Sequence, residues 1–216
     1  MKYKAIIFDL DGTLINSLED IADAMNKVLD ENKYPTHDYK SYNFFIGNGI
    51  RKLVSRALPE DKRNETEIDR CYEAMMDYYG ENCIRKTKPY QGIQALLNEL
   101  NSKNIPISVL SNKSDSLTKK ITHSIFPEYF EPVVGLTSEA LKKPNPSTAI
   151  QISEKLNCNP SEVVFVGDSG IDMQTATQAG MYAVGVSWGY RTKEELFLEG
   201  AKLFLEEPSD LMALFN

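Results

Sequence analysis

The sequence predicts an α/β protein: a doubly wound parallel sheet with a small helical unit inserted after its first strand. Three observations carry this. Short apolar runs without polar alternation, such as residues 4–8 and 163–166, mark strands buried on both faces. Segments of helical period lie between those runs. One long interval, from Asp11 to Ile93, holds helical stripes and no strand signal. Residues 1–16 and 87–216 are therefore expected to form the α/β core, and residues 17–86 the helical insert.

The elements follow in order. The first strand, residues 4–8, stops at Asp9 and a turn-forming Gly12. Inside the insert, Ile21, Met25, Val28 and Leu29 share one helical face. Ile50, Leu53, Val54 and Leu58 share a second, and Tyr72, Met75, Met76 and Tyr79 a third, read as the insert's own core. Gly47-Asn48-Gly49 is a tight loop between them. Ile93, Leu96, Leu97 and Leu100 form a helix leading to a second strand at 106–110, which ends on Ser111-Asn112. A helix at 114–124 follows, then a weak third strand at 132–134 that ends at Gly135. Ala149, Ile152 and Leu156 share a face before the fourth strand, 163–166, which ends on Gly167-Asp168. The helix at 171–179 stops at Gly180, a C-cap. A fifth strand spans Tyr182–Val186 and a short sixth Leu203–Leu205. Trp188-Gly189-Tyr190, after the fifth strand, reads as packing or a subunit contact.

Composition narrows the functional class. The 216 residues include 31 acidic and 24 basic side chains, a net charge of −7. That balance disfavours nucleic acid or an anionic membrane as partner. Apolar content of 42% and charged content of 25% are ordinary for a globular chain and exclude disorder. No apolar run approaches the roughly 20 residues of a membrane span. The N-terminus meets Asp9 too early for a secretory segment. Cys71, Cys83 and Cys158 lack CxxC spacing, and His37 and His123 lie far apart. The cysteines read as buried thiols in a reducing cytoplasm, not a disulfide or zinc framework. The expected partner is a small molecule, and the expected assembly a monomer or homodimer.

In an open α/β sheet, ligands bind beyond the carboxyl ends of the strands, and three of these strands end on reactive residues. Asp9-Leu10-Asp11-Gly12-Thr13 puts two carboxylates in one turn, where they either hold a hard divalent ion or serve as turn and cap. Ser111-Asn112-Lys113-Ser114 offers a hydroxyl, an amide and an ammonium before a helix, either a phosphate site or an N-cap. Asp168 and Asp172 stand four apart as the next helix starts, near the mouth or as capping acids. Lys142-Lys143-Pro144-Asn145-Pro146 places cations on a proline-stiffened turn or a solvated loop. Together they supply carboxylates for a metal, a nucleophile and neutralising cations. That inventory suits phosphoryl transfer, where positioning and charge stabilisation dominate.

These segments, in this order, resemble the four motifs of the haloacid dehalogenase superfamily, and within it the phosphoglycolate phosphatase-like group. The resemblance covers essentially the whole chain, the insert being similar to the family's small cap domain. It implies that Asp9 attacks phosphorus and that Asp11 protonates the leaving alcohol, then activates water. It implies Mg²⁺ held by the Asp9 carboxylate, the Asp11 carbonyl and Asp168, with Asp172 and Thr13 supporting. Ser111, Asn112 and Lys143 would bind the phosphoryl group; Lys143 is preferred to Lys142 because it directly precedes Pro144. Asp11 stands where relatives that store their phosphoenzyme, such as P-type ATPases, carry threonine, and dehalogenases lack both the metal and this second acid. Gly47-Asn48-Gly49-Ile50-Arg51 resembles the cap loop of phosphoglycolate phosphatases, so Asn48 and Arg51 are candidates to face the leaving group. One departure is Gln91-Gly92, where relatives usually carry Pro-Gly. The leading expectation is a Mg²⁺-dependent phosphatase of a small phosphate monoester, 2-phosphoglycolate first, with sugar phosphates and nucleotides next. Alternatives are a sugar phosphomutase, a pyrophosphatase of the same fold, and a non-catalytic phospho-ligand module. A phosphonatase would need a Schiff-base lysine in the insert, and nothing selects one.

Overall fold

A computed structural model describes residues 2–47 and 49–215. The chain divides into two compact units, one running up to Asn16 and from Pro89 onward, the other Ser17–Lys88.

The first unit is built on a six-stranded, all-parallel sheet. β1 (Ala5–Phe8) is a central strand. Two-residue strands β2 (Ile15–Asn16) and β3 (Lys88–Pro89) mark where the chain leaves and rejoins this unit. β4 (Ile107–Ser114), β5 (Val133–Leu136), β6 (Val163–Gly167), β7 (Tyr182–Val186) and β8 (Leu203–Leu205) complete the sheet, in the order β5-β4-β1-β6-β7-β8. Ile6 pairs with Ile107 on one side and Val164 on the other. With neighbours on both edges and layers on both faces, no residue of β1 meets water, which is why its sequence is apolar without alternation.

The two faces divide by parity. Ala5, Ile7, Val163 and Phe165 pack with Ala149 and Ile152 of one helix and Met173 and Ala176 of another. On the other face Phe8 meets Phe130 edge-on, ring centroids 6.2 Å apart. Burying each such Ile or Phe contributes about 1.5–3 kcal/mol.

Two strands run past their expected ends. β4 continues four residues beyond Leu110, because its register against β5 shifts between Leu110 and Ser114 while the backbone stays extended. β5 continues through Gly135, whose N–H donates to Asp115 Oδ1 at 3.0 Å.

The second unit is helical: α1 (Leu18–Glu31), α2 (Tyr39–Phe45), α3 (Ile50–Ala57) and α4 (Glu65–Asn82). Asp38 and Asn64 cap α2 and α4, accepting from Ser41 N and Glu67 N at 2.9 and 3.0 Å. The α4 stripe differs from the expected one. Ile68, Cys71, Met75 and Tyr79 face inward, while Tyr72 and Met76 are half-buried on the flank. The turn from Ile68 to Met75 brings Cys71 to the inner line, and Tyr72, one residue on, rotates about 100° away. Asp20, near the start of α1, is buried and accepts from Lys86 N, Thr87 N and Thr87 Oγ1. It thereby fixes the last residues of this unit. Helices α5 (Ile93–Ser102), α6 (Asp115–Ile125), α7 (Ser147–Lys155), α8 (Gly170–Ala179) and α9 (Lys193–Leu198) belong to the α/β unit. Among the described residues no helix is long and apolar enough to cross a membrane.

Candidate active site

The carboxyl ends of β1, β4 and β6 gather a charged cluster. Asp9 follows β1, and its N–H donates to Val166 O at 2.9 Å, so the sheet itself fixes it. The ammonium of Lys143 donates to Asp9 Oδ1 at 2.6 Å, to Asp172 Oδ1 at 2.7 Å and to the Leu110 carbonyl at 3.0 Å. Asp172 sits in the first turn of α8, where its other oxygen accepts from Ser169 N and Ser169 Oγ at 3.1 and 2.6 Å. Asp168, at the end of β6, accepts from Tyr190 N at 2.8 Å, with Thr13 Oγ1 at 3.5 Å.

The Asp168 carboxylate lies in a cradle made by two glycines. A Cβ on Gly12, which has φ +91°, would collide with Asp168. A Cβ on Gly189 would lie 2.7 Å from both Asp168 Oδ2 and Gly12 O. Trp188 Nε1 closes the same wall by donating to Thr13 O at 2.9 Å.

Burial sets the electrostatics. Desolvation pushes the Asp9 carboxyl up to about 7; the Lys143 charge opposes this, and the like charges of Asp172 and Asp11 add to it. Asp168 is also pushed well above the carboxylate range, first by burial and then by Asp9 and Asp172. Burial would lower Lys143, but Asp172 and Asp9 outweigh it and keep the ammonium charged.

One oxygen each of Asp9, Asp168 and Asp172 lies within 4.8 Å of the others, all three residues being buried. Lys143 pairs with two of the trio, Asp9 and Asp172, and the charge of Arg191 favours the Asp168 carboxylate. Three buried carboxylates that face one another repel, and an all-oxygen donor set fits a hard divalent cation.

Asp11 is held elsewhere. Its Oδ1 accepts from Lys113 Nζ at 2.8 Å. Ser111 Oγ accepts from Lys113 N at 3.2 Å. The Asn112 side-chain amide donates to Lys143 O and accepts from Lys143 N, at 3.1 and 2.8 Å. That engages the amide in locking the lysine loop. Arg51 belongs to the helical unit. Its guanidinium pairs with Glu65 and Asp69 at 2.5 and 2.7 Å on the surface of the helical unit. Asn48 lies outside the described residues.

Two contributors were noticed in the sequence without their present roles. Lys113 carried a signal, an ammonium inside the segment already singled out. The Trp188-Gly189-Tyr190 turn carried none, because it acts through one backbone N–H, one indole N–H and a missing side chain.

A parallel sheet that collects acids and a buried lysine at the carboxyl ends of its central strands defines an enzyme core of the Rossmann-like α/β class. The chain belongs to the haloacid dehalogenase-like hydrolases, whose sequence profile matches residues 6–186. It is 35% identical to a phosphoglycolate phosphatase of Aquifex aeolicus (strain VF5), over 99% of this chain and 97% of that one. It is 34% identical to a phosphoglycolate phosphatase of Neisseria meningitidis serogroup A, over 87% of this chain and 81% of that one. Among solved structures, a predicted phosphoglycolate phosphatase from Haemophilus somnus 129pt superposes with a TM-score of 0.91 at 27% identity, covering 100% of this chain and 99% of that one.

Proposed function

We propose that this chain is a Mg²⁺-dependent phosphatase of small phosphate monoesters, with 2-phosphoglycolate its first substrate. The observation that carries the reading is the buried Asp9 carboxylate at the tip of the central strand, held by Lys143 within an all-oxygen acidic cluster. The names of the relatives support the choice of phosphoglycolate.

Asp9 attacks phosphorus in line, and the P–O bond to the alcohol breaks as an aspartyl-phosphate forms. Asp11 gives its proton to the departing oxygen, then takes one from the water that cleaves the acyl-phosphate. Lys143 and the Ser111 hydroxyl neutralise and bind the transferring phosphoryl oxygens. The Asp9 carboxylate, the Asp11 carbonyl and Asp168 would hold Mg²⁺, with Asp172 supporting. Bound there, the ion supplies charge neutralisation on the phosphoryl oxygens. Thr13 and the Tyr190 N–H keep Asp168 aimed at that position.

The test is phosphate release from 2-phosphoglycolate, sugar phosphates, nucleotides and pyrophosphate, with Mg²⁺, with chelator, and in Asp9→Asn. Mg²⁺-dependent release that vanishes in the variant supports the reading, and the ranking of substrates identifies the leaving group. Absence of release from every compound, or an isomeric sugar phosphate as product, overturns it.

A further inference from the structure

We infer that Lys113 is a specificity-determining residue that reads an anionic group one carbon from the ester oxygen, so that the site selects phosphorylated hydroxy-carboxylates. The inference rests on the phosphatase reading above and adds to it the side chain that recognises the leaving group.

Lys113 lies near the end of β4, and its side chain is 2% exposed. Its charge has been taken out of water, which is tolerated where anions face it. The ammonium donates to Asp11 Oδ1 at 2.8 Å. Its backbone is fixed at both ends: the N–H donates to Ser111 Oγ at 3.2 Å, and the carbonyl accepts from Thr118 Oγ1 at 3.1 Å. The ammonium is therefore held beside the acid assigned to the leaving group, while Lys143 is tied to Asp9 and Asp172.

Two hydrogen bonds define the reach. An ester oxygen that receives a proton from Asp11 approaches a carboxylate oxygen to about 2.7 Å. Where that oxygen is Oδ1, Lys113 Nζ lies at most about 5.5 Å from the ester oxygen. A carboxylate on the adjacent carbon falls inside this span, within ion-pair reach of the ammonium. A neutral group of the same shape offers it no charge. Asp11, Ser111, Lys113 and Lys143 all belong to the α/β unit.

The experiment compares kcat/KM for 2-phosphoglycolate and its carboxamide analogue, phosphoglycolamide, with p-nitrophenyl phosphate as a generic ester. The wild-type protein and Lys113→Met are assayed with Mg²⁺. The wild type is expected to prefer the carboxylate over the carboxamide by about ten- to a hundredfold, the range of a hydrogen bond to a charged group. In Lys113→Met that ratio is expected to fall to near unity, chiefly through KM for the carboxylate. A wild type that treats carboxylate and carboxamide alike overturns the inference without recourse to any variant. An unchanged ratio in Lys113→Met, with both substrates falling together, also overturns it, because the lysine then acts only through Asp11. If the wild type hydrolyses p-nitrophenyl phosphate but shows no carboxylate preference, this inference falls and the phosphatase reading stands. If it releases phosphate from none of the three, the phosphatase reading falls as well.

Discussion

Replacing the buried Asp20 with alanine should damage the helical unit far more than the loss of an exposed acid would. Asp20 is 4% exposed. Its carboxylate accepts from Lys86 N at 3.0 and 2.9 Å, from Thr87 N at 2.8 Å and from Thr87 Oγ1 at 2.7 Å. Removing it orphans two backbone N–H groups and a hydroxyl. Each buried orphan costs about 1–3 kcal/mol. Lys86 itself is exposed and regains water, which leaves two orphans and a total of about 2–6 kcal/mol, a large share of the 5–15 kcal/mol that holds a domain folded. Asp20→Asn separates charge from shape. Its amide oxygen, placed where Oδ2 lies, keeps the bonds from Lys86 N, Thr87 N and Thr87 Oγ1, so the loss should be about 1–2 kcal/mol. Urea unfolding gives the stability differences, and hydrogen exchange at the Lys86 and Thr87 amides gives the local opening. An alanine variant within 1 kcal/mol of wild type, or an asparagine variant as damaged as the alanine one, would refute the reasoning.

Three further predictions follow from the site and the helical unit. Gly189→Ala forces Asp168 out of its cradle, so the Mg²⁺ concentration for half-maximal activity should rise at least about tenfold; an unchanged Mg²⁺ titration counts against the cradle. Lys143→Met removes the ammonium between Asp9 and Asp172 and should lower kcat by about 10²–10³ or more, with stability lost as well because buried acids are left facing one another; a variant retaining a tenth of wild-type kcat contradicts its assigned role. In the helical unit, Arg70, opposed by burial and then aided by Tyr34, draws the Glu67 carboxyl down to about 2. Its folded value lies below its unfolded one, so its stabilisation is present above about pH 4.3 and is lost as pH falls toward 2. Because Arg70 is half exposed, the effect stays under about 1 kcal/mol. Wild type should therefore exceed Glu67→Gln in stability at pH 7 and match it near pH 2; a gap that widens on acidification reverses the sign.

The sheet was the most legible part of the chain, because a strand buried on both faces must be apolar throughout and residues 5–8 and 163–166 carry that pattern unmixed. The ends of elements were less so. The expected second strand stops at Leu110 where the apolar run stops, yet the extended backbone continues to Ser114, held by pairing that side-chain polarity does not report. Likewise Cys71 and Tyr72 differ by one residue and were interchangeable as a stripe, until packing selected the smaller side chain for the inner line. Motif residues such as Asp9 and Asp168 stood out by type and position. Their supports did not: Asp168 depends on a backbone N–H from Tyr190 and on the absence of side chains at Gly12 and Gly189, features that leave no pattern of polarity. Asn112 and Arg51 show the converse, polar groups whose chemistry suits a ligand and whose partners turn out to be Lys143's backbone and two acids of α3's neighbouring helix.

The central place of β1 in the sheet also bears on how the chain is made. Its Ile6 pairs with Ile107 and its Ala5 with Val163, so β1 leaves the ribosome well before either of its neighbours. At about 5–20 residues per second, the first of those partners arrives about 5–20 seconds later. During that interval an Ala-Ile-Ile-Phe segment with two open edges is a template for pairing with other chains. The helical unit, Ser17–Lys88, is synthesised complete within the wait. Substitutions that weaken the docking of β4 or β6 against β1 should therefore appear first as lost soluble yield during expression, before any change in the turnover of the molecules that do fold.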